Sequence, residues 1–182
     1  MDESNKQLTR EVRLPLPISP GNPARYDTEY ERNGVGNLFI FFEPLQGWRK
    51  IAVTESRTAV DWAYQVQQLV DVHYQEAKKI TLVMDNLNTH TGASLYKAFP
   101  PQEARKILDR LEFVYTSKHG SWLNMAEIEL SILSKQCLDR RIANQDKLKS
   151  EVAAWVAPRN CYAQPMEWRF TTNDARIKLK HL

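Results

Sequence analysis

Acidic residues in three stretches stand out by their type and setting. Asp85 directly follows the largely apolar run ITLVM (80–84), so a β-strand would end on a carboxylate. Asp2 sits beside Glu3 near the start of the chain, and Glu127 and Glu129 fall early in a helical stretch. One carboxylate at a strand end, one on a helix and one from another strand suit a pair of divalent cations. Mg²⁺ prefers oxygen ligands and takes one or two carboxylates, leaving positions for water and phosphate. Two such ions, roughly 3.5–4 Å apart, can activate an attacking oxygen and stabilise a leaving one in phosphodiester chemistry. Spacing alone does not select this triple, because 22 acidic residues offer many others. Nor does it separate Glu127 from Glu129, which flank the helix stripe Ala126, Leu130, Leu133 and Cys137 on opposite sides. Asp85 could equally cap the turn after its strand. Asp2, so near a terminus, is expected to fray.

The elements that must hold these residues follow from periodicity. Asn37–Leu45 (NLFIFFEPL) is almost unbroken apolar sequence and reads as a strand inside a sheet. Trp48–Thr54, after a Gln46-Gly47 turn, reads as its hairpin partner. Thr58–Tyr74 carries Ala59, Trp62, Ala63, Val66, Leu69 and Val70 on one helical stripe, and Thr58 with Asp61 resembles a capping box. Strand Ile80–Met84, helix Pro101–Arg110 and strand Glu112–Thr116 come next. A loop then precedes a helix over about 123–138, and a last helix spans about 146–157. Strands alternating with helices give an α/β class: a mixed sheet flanked by helices, with an antiparallel opening hairpin. In such sheets, sites form where strand ends meet the following loops, and Asp85 lies at one.

Composition sets the outer limits. With 182 residues, 42% of them hydrophobic and five Trp, the chain can build one ordinary domain and is not disordered. Residues 1–36 read as an extended N-terminal segment and connector, with four prolines and a glycine in 13–24 (RLPLPISPGNPA). The net charge is +3, but residues 139–182 carry nine Lys/Arg against five Asp/Glu, a basic and helical C-terminal part. Such a balance permits a nucleic-acid partner. Cys137 and Cys161 form no metal or disulfide pattern, and reduced thiols in a cytoplasm are the simplest account. No apolar run reaches membrane-spanning length, and the first residues lack the core of a signal peptide.

The motifs themselves carry more. "MDNLNTH" followed by "YTSKHGSWLNMAEIELSILS" resembles the DDE transposases of bacterial insertion sequences, in the insertion sequence 630 branch related to the Tc/mariner elements. In that family the second catalytic aspartate opens a D-N-x-x-x-H run, matched by Asp85, Asn86 and His90. The catalytic glutamate ends an S-W-L-N-x-x-E run, matched by Ser121, Trp122, Leu123, Asn124 and Glu127. The first aspartate opens a D-E-x-x-x-Q-L run, matched by Asp2, Glu3, Gln7 and Leu8. "RYDTEYERNGVGNLF" resembles the segment ahead of the second strand. Ser4, Asn5 and Ser117 depart from the family pattern, which usually has basic and proline residues after the opening D-E and a proline where Ser117 stands.

The resemblance implies a ribonuclease-H-like fold in a single catalytic domain over 1–182, with Asp2, Asp85 and Glu127 as catalytic residues and metal ligands. It implies two Mg²⁺ ions per site, with Mn²⁺ as a substitute, and cleavage and joining of DNA at the ends of a mobile element. DNA is the implied partner, a homodimer is open, and no membrane is involved. Lys118 and His119, ahead of the catalytic helix, and Lys178 and Lys180 in the tail are candidate DNA contacts. The family's N-terminal helix-turn-helix has no counterpart ahead of Asp2, so the chain is expected to be the catalytic part of a longer transposase or the product of a disrupted gene. Two other functions stay open: an inactive remnant that binds DNA, and another nuclease of the same fold.

The basic C-terminal part leads to a measurable expectation. DNA binding should be independent of sequence and should weaken steeply with salt, because phosphate contacts release counterions. Replacing Lys178 and Lys180 with Gln should flatten the log–log salt slope by about 0.9 for each lysine engaged. A slope unchanged by both substitutions would mean that the tail does not touch DNA.

Overall fold

The computed structural model describes residues 1–117, 124–178 and 180. Its candidate DNA contacts Lys118 and His119, with Ser121, Trp122 and Leu123, lie outside the described residues. The fold is mixed α/β. Strand β1 spans Asp2–Glu11, β2 Tyr30–Glu43 and β3 Trp48–Thr54, joined as an antiparallel sheet in the order β1-β2-β3. Helix α1 spans Ala59–Gln68 and is followed by a wider π-helical turn over Leu69–His73. Strands β4 (Ile80–Met84) and β5 (Leu111–Tyr115) pair in parallel, with helices α2 (Gly92–Ala98) and α3 (Pro101–Asp109) between them. Helix α4 spans Met125–Leu133 and continues as a π-helical turn through Leu138. Helices α5 (Gln145–Cys161) and α6 (Thr172–Lys178) complete the chain.

The unbroken apolar run of β2 has a physical reason: both faces of the strand are covered. Phe39 and Phe41 enter a core built around Trp62, Val66, Leu95, Ile107 and Met84. Leu38, one residue out of phase, enters a second core with Leu8, Leu133, Leu148 and Val152. Alternate side chains of a strand point to opposite faces, so one strand serves both layers. Gly36 lets α5 approach closely, since a Cβ there would lie 2.3 Å from Leu148 Cδ2. On α1 and the π-helical turn after it, the expected stripe is buried at Trp62, Ala63, Val66, Leu69 and Val70. The Thr58 and Asp61 side chains make both bonds of a capping box.

Three features depart from the sequence reading. The mixed sheet expected as one unit is two hydrogen-bonded sheets, three-stranded and two-stranded. They meet where the terminal amine of Met1 donates to Val83 O at 2.7 Å. Periodicity identifies strands but not which edges join, so this division is not visible in it. Within the segment read as extended, DESNKQLTRE forms strand β1, paired with β2 from Asp2↔Ile40 to Glu11↔Tyr30 with a register shift between Gln7 and Thr9. The strand is polar, with Leu8 as its one buried residue, and so lacks an apolar signal. Finally, α2 is absent from the sequence reading. Its seven residues are too few for a helical stripe to register. Among the described residues, no helix is long and apolar enough to cross a membrane.

Candidate active site

The three carboxylates come from the start of β1, the loop after β4 and the first turn of α4. Asp2 is the first residue of β1. It does not fray, because its neighbours hold it from three sides. It pairs with Ile40 of β2. The Met1 side chain is buried in the first core and its amine is bonded to β4. The Met1 carbonyl accepts from Asn124 Nδ2 at 3.1 Å. Asn124 is buried and also caps α4, its Oδ1 accepting from Ala126 N at 3.2 Å. One side chain therefore ties the start of α4 to the start of β1. Glu127, three residues after this cap, is half-buried in the first helical turn, where the helix dipole favours a negative charge.

The charges of Glu127 and Asp85 both act on Asp2. The Asp2 carboxyl is pushed up from 3.8 to about 6. Burial is the main cause, and the charges of Glu127 and Asp85 add to it. A bond from Glu3 N and the nearby Met1 amine offset part of the rise. Burial likewise lowers the Met1 amine from 8.0 to about 6, against the pull of Asp2 and Asp85. A half-buried acid raised by desolvation and by two like charges is a site short of positive charge. An all-oxygen set with this imbalance fits Mg²⁺ or Mn²⁺ in its donor chemistry. As the side chains stand, no three His, Cys, Asp or Glu groups among the described residues converge closely enough to form a metal centre.

Asp85 is held from behind. Its Oδ1 lies 2.7 Å from His90 Nδ1, and His90 Nε2 lies 2.7 Å from Glu3 Oε1. Burial opposes a charge on the ring, but Glu3 and Asp85 outweigh it and hold the His90 pKa above its ordinary value. The ring is fully buried and stacks on Trp62, with centroids 5.8 Å apart. Sequence reasoning found His90 as a motif residue only. Glu3 it found only as the neighbour of Asp2 and the second residue of the opening motif.

Glu129 has a different role. It lies two residues from Glu127 and is buried, with its Oε2 3.0 Å from Arg49 Nε on β3. Arg49 is buried too and lies over the Phe42 ring, 5.3 Å from its centroid. The Glu129 charge is thus matched inside the protein, whereas that of Glu127 acts on Asp2. Lys178, on α6, lies over the Phe170 ring at 5.7 Å, and Lys180 is exposed just beyond α6.

Residues 1–149 match the family model described as DDE superfamily endonuclease. No curated protein and no solved structure shows a significant match to the chain.

The shifted Asp2 carboxyl has a consequence for stability. A folded-state pKa above the unfolded one stabilises at low pH, and this contribution is lost as pH rises from about 4 through about 6. Replacing Asp2 with Asn should therefore raise the melting temperature of the metal-free protein at pH 7.5, on the order of 2–4 °C. At pH 4 the gain should vanish. Thermal denaturation at the two pH values checks this, and equal effects at both would contradict it.

Proposed function

The chain belongs to the family of DDE superfamily endonucleases, and on that footing we propose that it is a transposase catalytic domain of the insertion sequence 630 type. Its reaction is divalent-metal-dependent cleavage of DNA at the ends of a mobile element, followed by strand transfer. Water attacks a phosphodiester and frees a 3′-hydroxyl. That hydroxyl then attacks a phosphodiester of target DNA and expels a 3′-oxygen. Both steps are in-line displacements at phosphorus. The observation that carries this reading is the match of residues 1–149 to the endonuclease family, with Asp2 opening β1, Asp85 directly after β4 and Glu127 in the first turn of α4.

Within this proposal the residues divide the work. Asp2, Asp85 and Glu127 supply the oxygen ligands. Asn124 fixes the helix bearing Glu127 against the strand bearing Asp2. Divalent ions, when bound, would supply charge neutralisation at the attacking and leaving oxygens. Two small sheets meeting at the Met1–Val83 contact are compatible with a ribonuclease-H-like arrangement in which the site lies at the ends of β1 and β4. Lys118, His119, Lys178 and Lys180 are the proposed contacts to DNA phosphates.

The test separates the two neighbouring glutamates. Glu127→Gln and Asp85→Asn should each abolish Mn²⁺ binding in calorimetry and nicking of DNA that carries the element's terminal repeats. The loss should exceed the roughly 10- to 100-fold typical of losing an outer-shell partner. Glu129→Gln should leave Mn²⁺ affinity nearly unchanged in whatever fraction folds, because its carboxylate faces Arg49. Binding lost with Glu129→Gln but kept with Glu127→Gln would overturn the assignment.

A further inference from the structure

We infer that Glu3 and His90 are positioning residues that grip one oxygen of Asp85 and thereby leave the other free for a ligand. The inference rests on the proposed reading of Asp85 as a metal ligand.

The geometry starts from strand alternation. Asp2, Lys6 and Leu8 share one face of β1, where Leu8 joins the second core and Lys6 Nζ donates to Leu138 O. Glu3 points to the opposite face, toward the first core. The adjacent acids Asp2 and Glu3 therefore serve different layers, and Glu3 is not a spare ligand beside Asp2. Its side chain is only 5% exposed. A carboxylate so enclosed needs a partner, and His90 Nε2 at 2.7 Å is that partner.

His90 is fixed more firmly than its loop position suggests. Its N–H donates to Leu87 O at 2.9 Å, closing the turn after β4. The Tyr115 hydroxyl of β5 donates to its carbonyl at 3.0 Å. The imidazole lies against Trp62, so neither backbone nor ring is free to turn. From this mount Nδ1 reaches Asp85 Oδ1 at 2.7 Å. Among the described residues, Asp85 Oδ2 has no hydrogen bond, and the Asp85 side chain is 37% exposed. One oxygen is bonded within the protein, and the half-exposed carboxylate keeps the other without a bond to the described residues. A histidine held by one carboxylate and holding a second is an outer support of the kind that sets ligand orientation at metal sites.

The test uses the full chain and Mn²⁺ alone as probe. Glu3→Gln keeps a hydrogen bond to the ring and should bind Mn²⁺ within about threefold of the parent. Glu3→Ala removes the bond. The double variant Glu3→Gln/His90→Phe keeps the ring volume and the Trp62 stack, leaves no bare buried carboxylate, and removes the bond to Asp85. Both should lose about 10- to 100-fold in affinity while still melting cooperatively. A metal-free readout stands beside this. In the parent, the His90 ring N–H to Asp85 should give a downfield, slowly exchanging proton resonance that Asp85→Ala abolishes. The inference is overturned if the double variant folds and binds Mn²⁺ within threefold of the parent, or if the folded parent lacks that resonance. If Asp85→Ala binds Mn²⁺ normally but abolishes the resonance, the grip is real and the metal reading is what fails, and the ligand-positioning role falls with it.

Discussion

Like charges brought to one point repel, and this repulsion is the constraint on which the rest of the site depends. Asp2, Asp85 and Glu127 arrive from β1, the end of β4 and α4, and the Asp2 carboxyl is raised first by burial and then further by the charges of Glu127 and Asp85. Flexible acids would move apart toward water. Here each is mounted on something rigid. The Met1 amine locks β1 to β4, Asn124 locks α4 to β1, and His90 locks the loop after β4. The unfavourable electrostatics are thus sustained by backbone pairing and by two buried cores. Strain of this type is kept where function requires it, and relief by a divalent cation would be the natural counterpart.

The two glutamates of α4 show how burial and partners, rather than spacing, assign roles. Glu129 is matched by Arg49, and that pair connects α4 to β3. Breaking such a buried pair by removing one member commonly costs about 3–5 kcal/mol, since a bare charge remains. Asn160 of α5 reinforces the same strand, accepting from Arg49 N at 3.0 Å and donating to Arg49 O at 2.7 Å. Glu127 has no comparable cation among its described contacts and faces other acids. The helix therefore carries one glutamate that is paired with Arg49 and one whose charge acts on Asp2.

Much of this was legible in the residues. The apolar run of β2, the stripe of α1 and the short strand before Asp85 carry strong periodic signals, and each is present where expected. Other parts carry weak signals for physical reasons. β1 is polar because most of its length faces solvent or buried polar partners, so hydropathy does not mark it. The bond from Asn124 to Met1 spans 123 positions, and the chain Glu3–His90–Asp85 spans 87, distances over which local patterns say nothing. The family motifs singled out Asp2, Asp85, His90 and Glu127 by type. What they could not convey is that Glu3, adjacent to a proposed ligand, faces the other way. The expectation that Asp2 frays failed because it considered position in the chain and not the partners that Met1 finds in β4 and Asn124.

The central claim is that Asp2, Asp85 and Glu127 form one electrostatic unit. Titration of the Asp2 side-chain carboxyl by ¹³C NMR, in the metal-free protein, tests it most directly. The account predicts a midpoint of about 6 in the parent chain and a lower one when Glu127 is replaced by Gln, with the part due to burial and Asp85 remaining. A parent Asp2 that titrates at 3.8, or a midpoint unmoved by the Glu127 substitution, would contradict it.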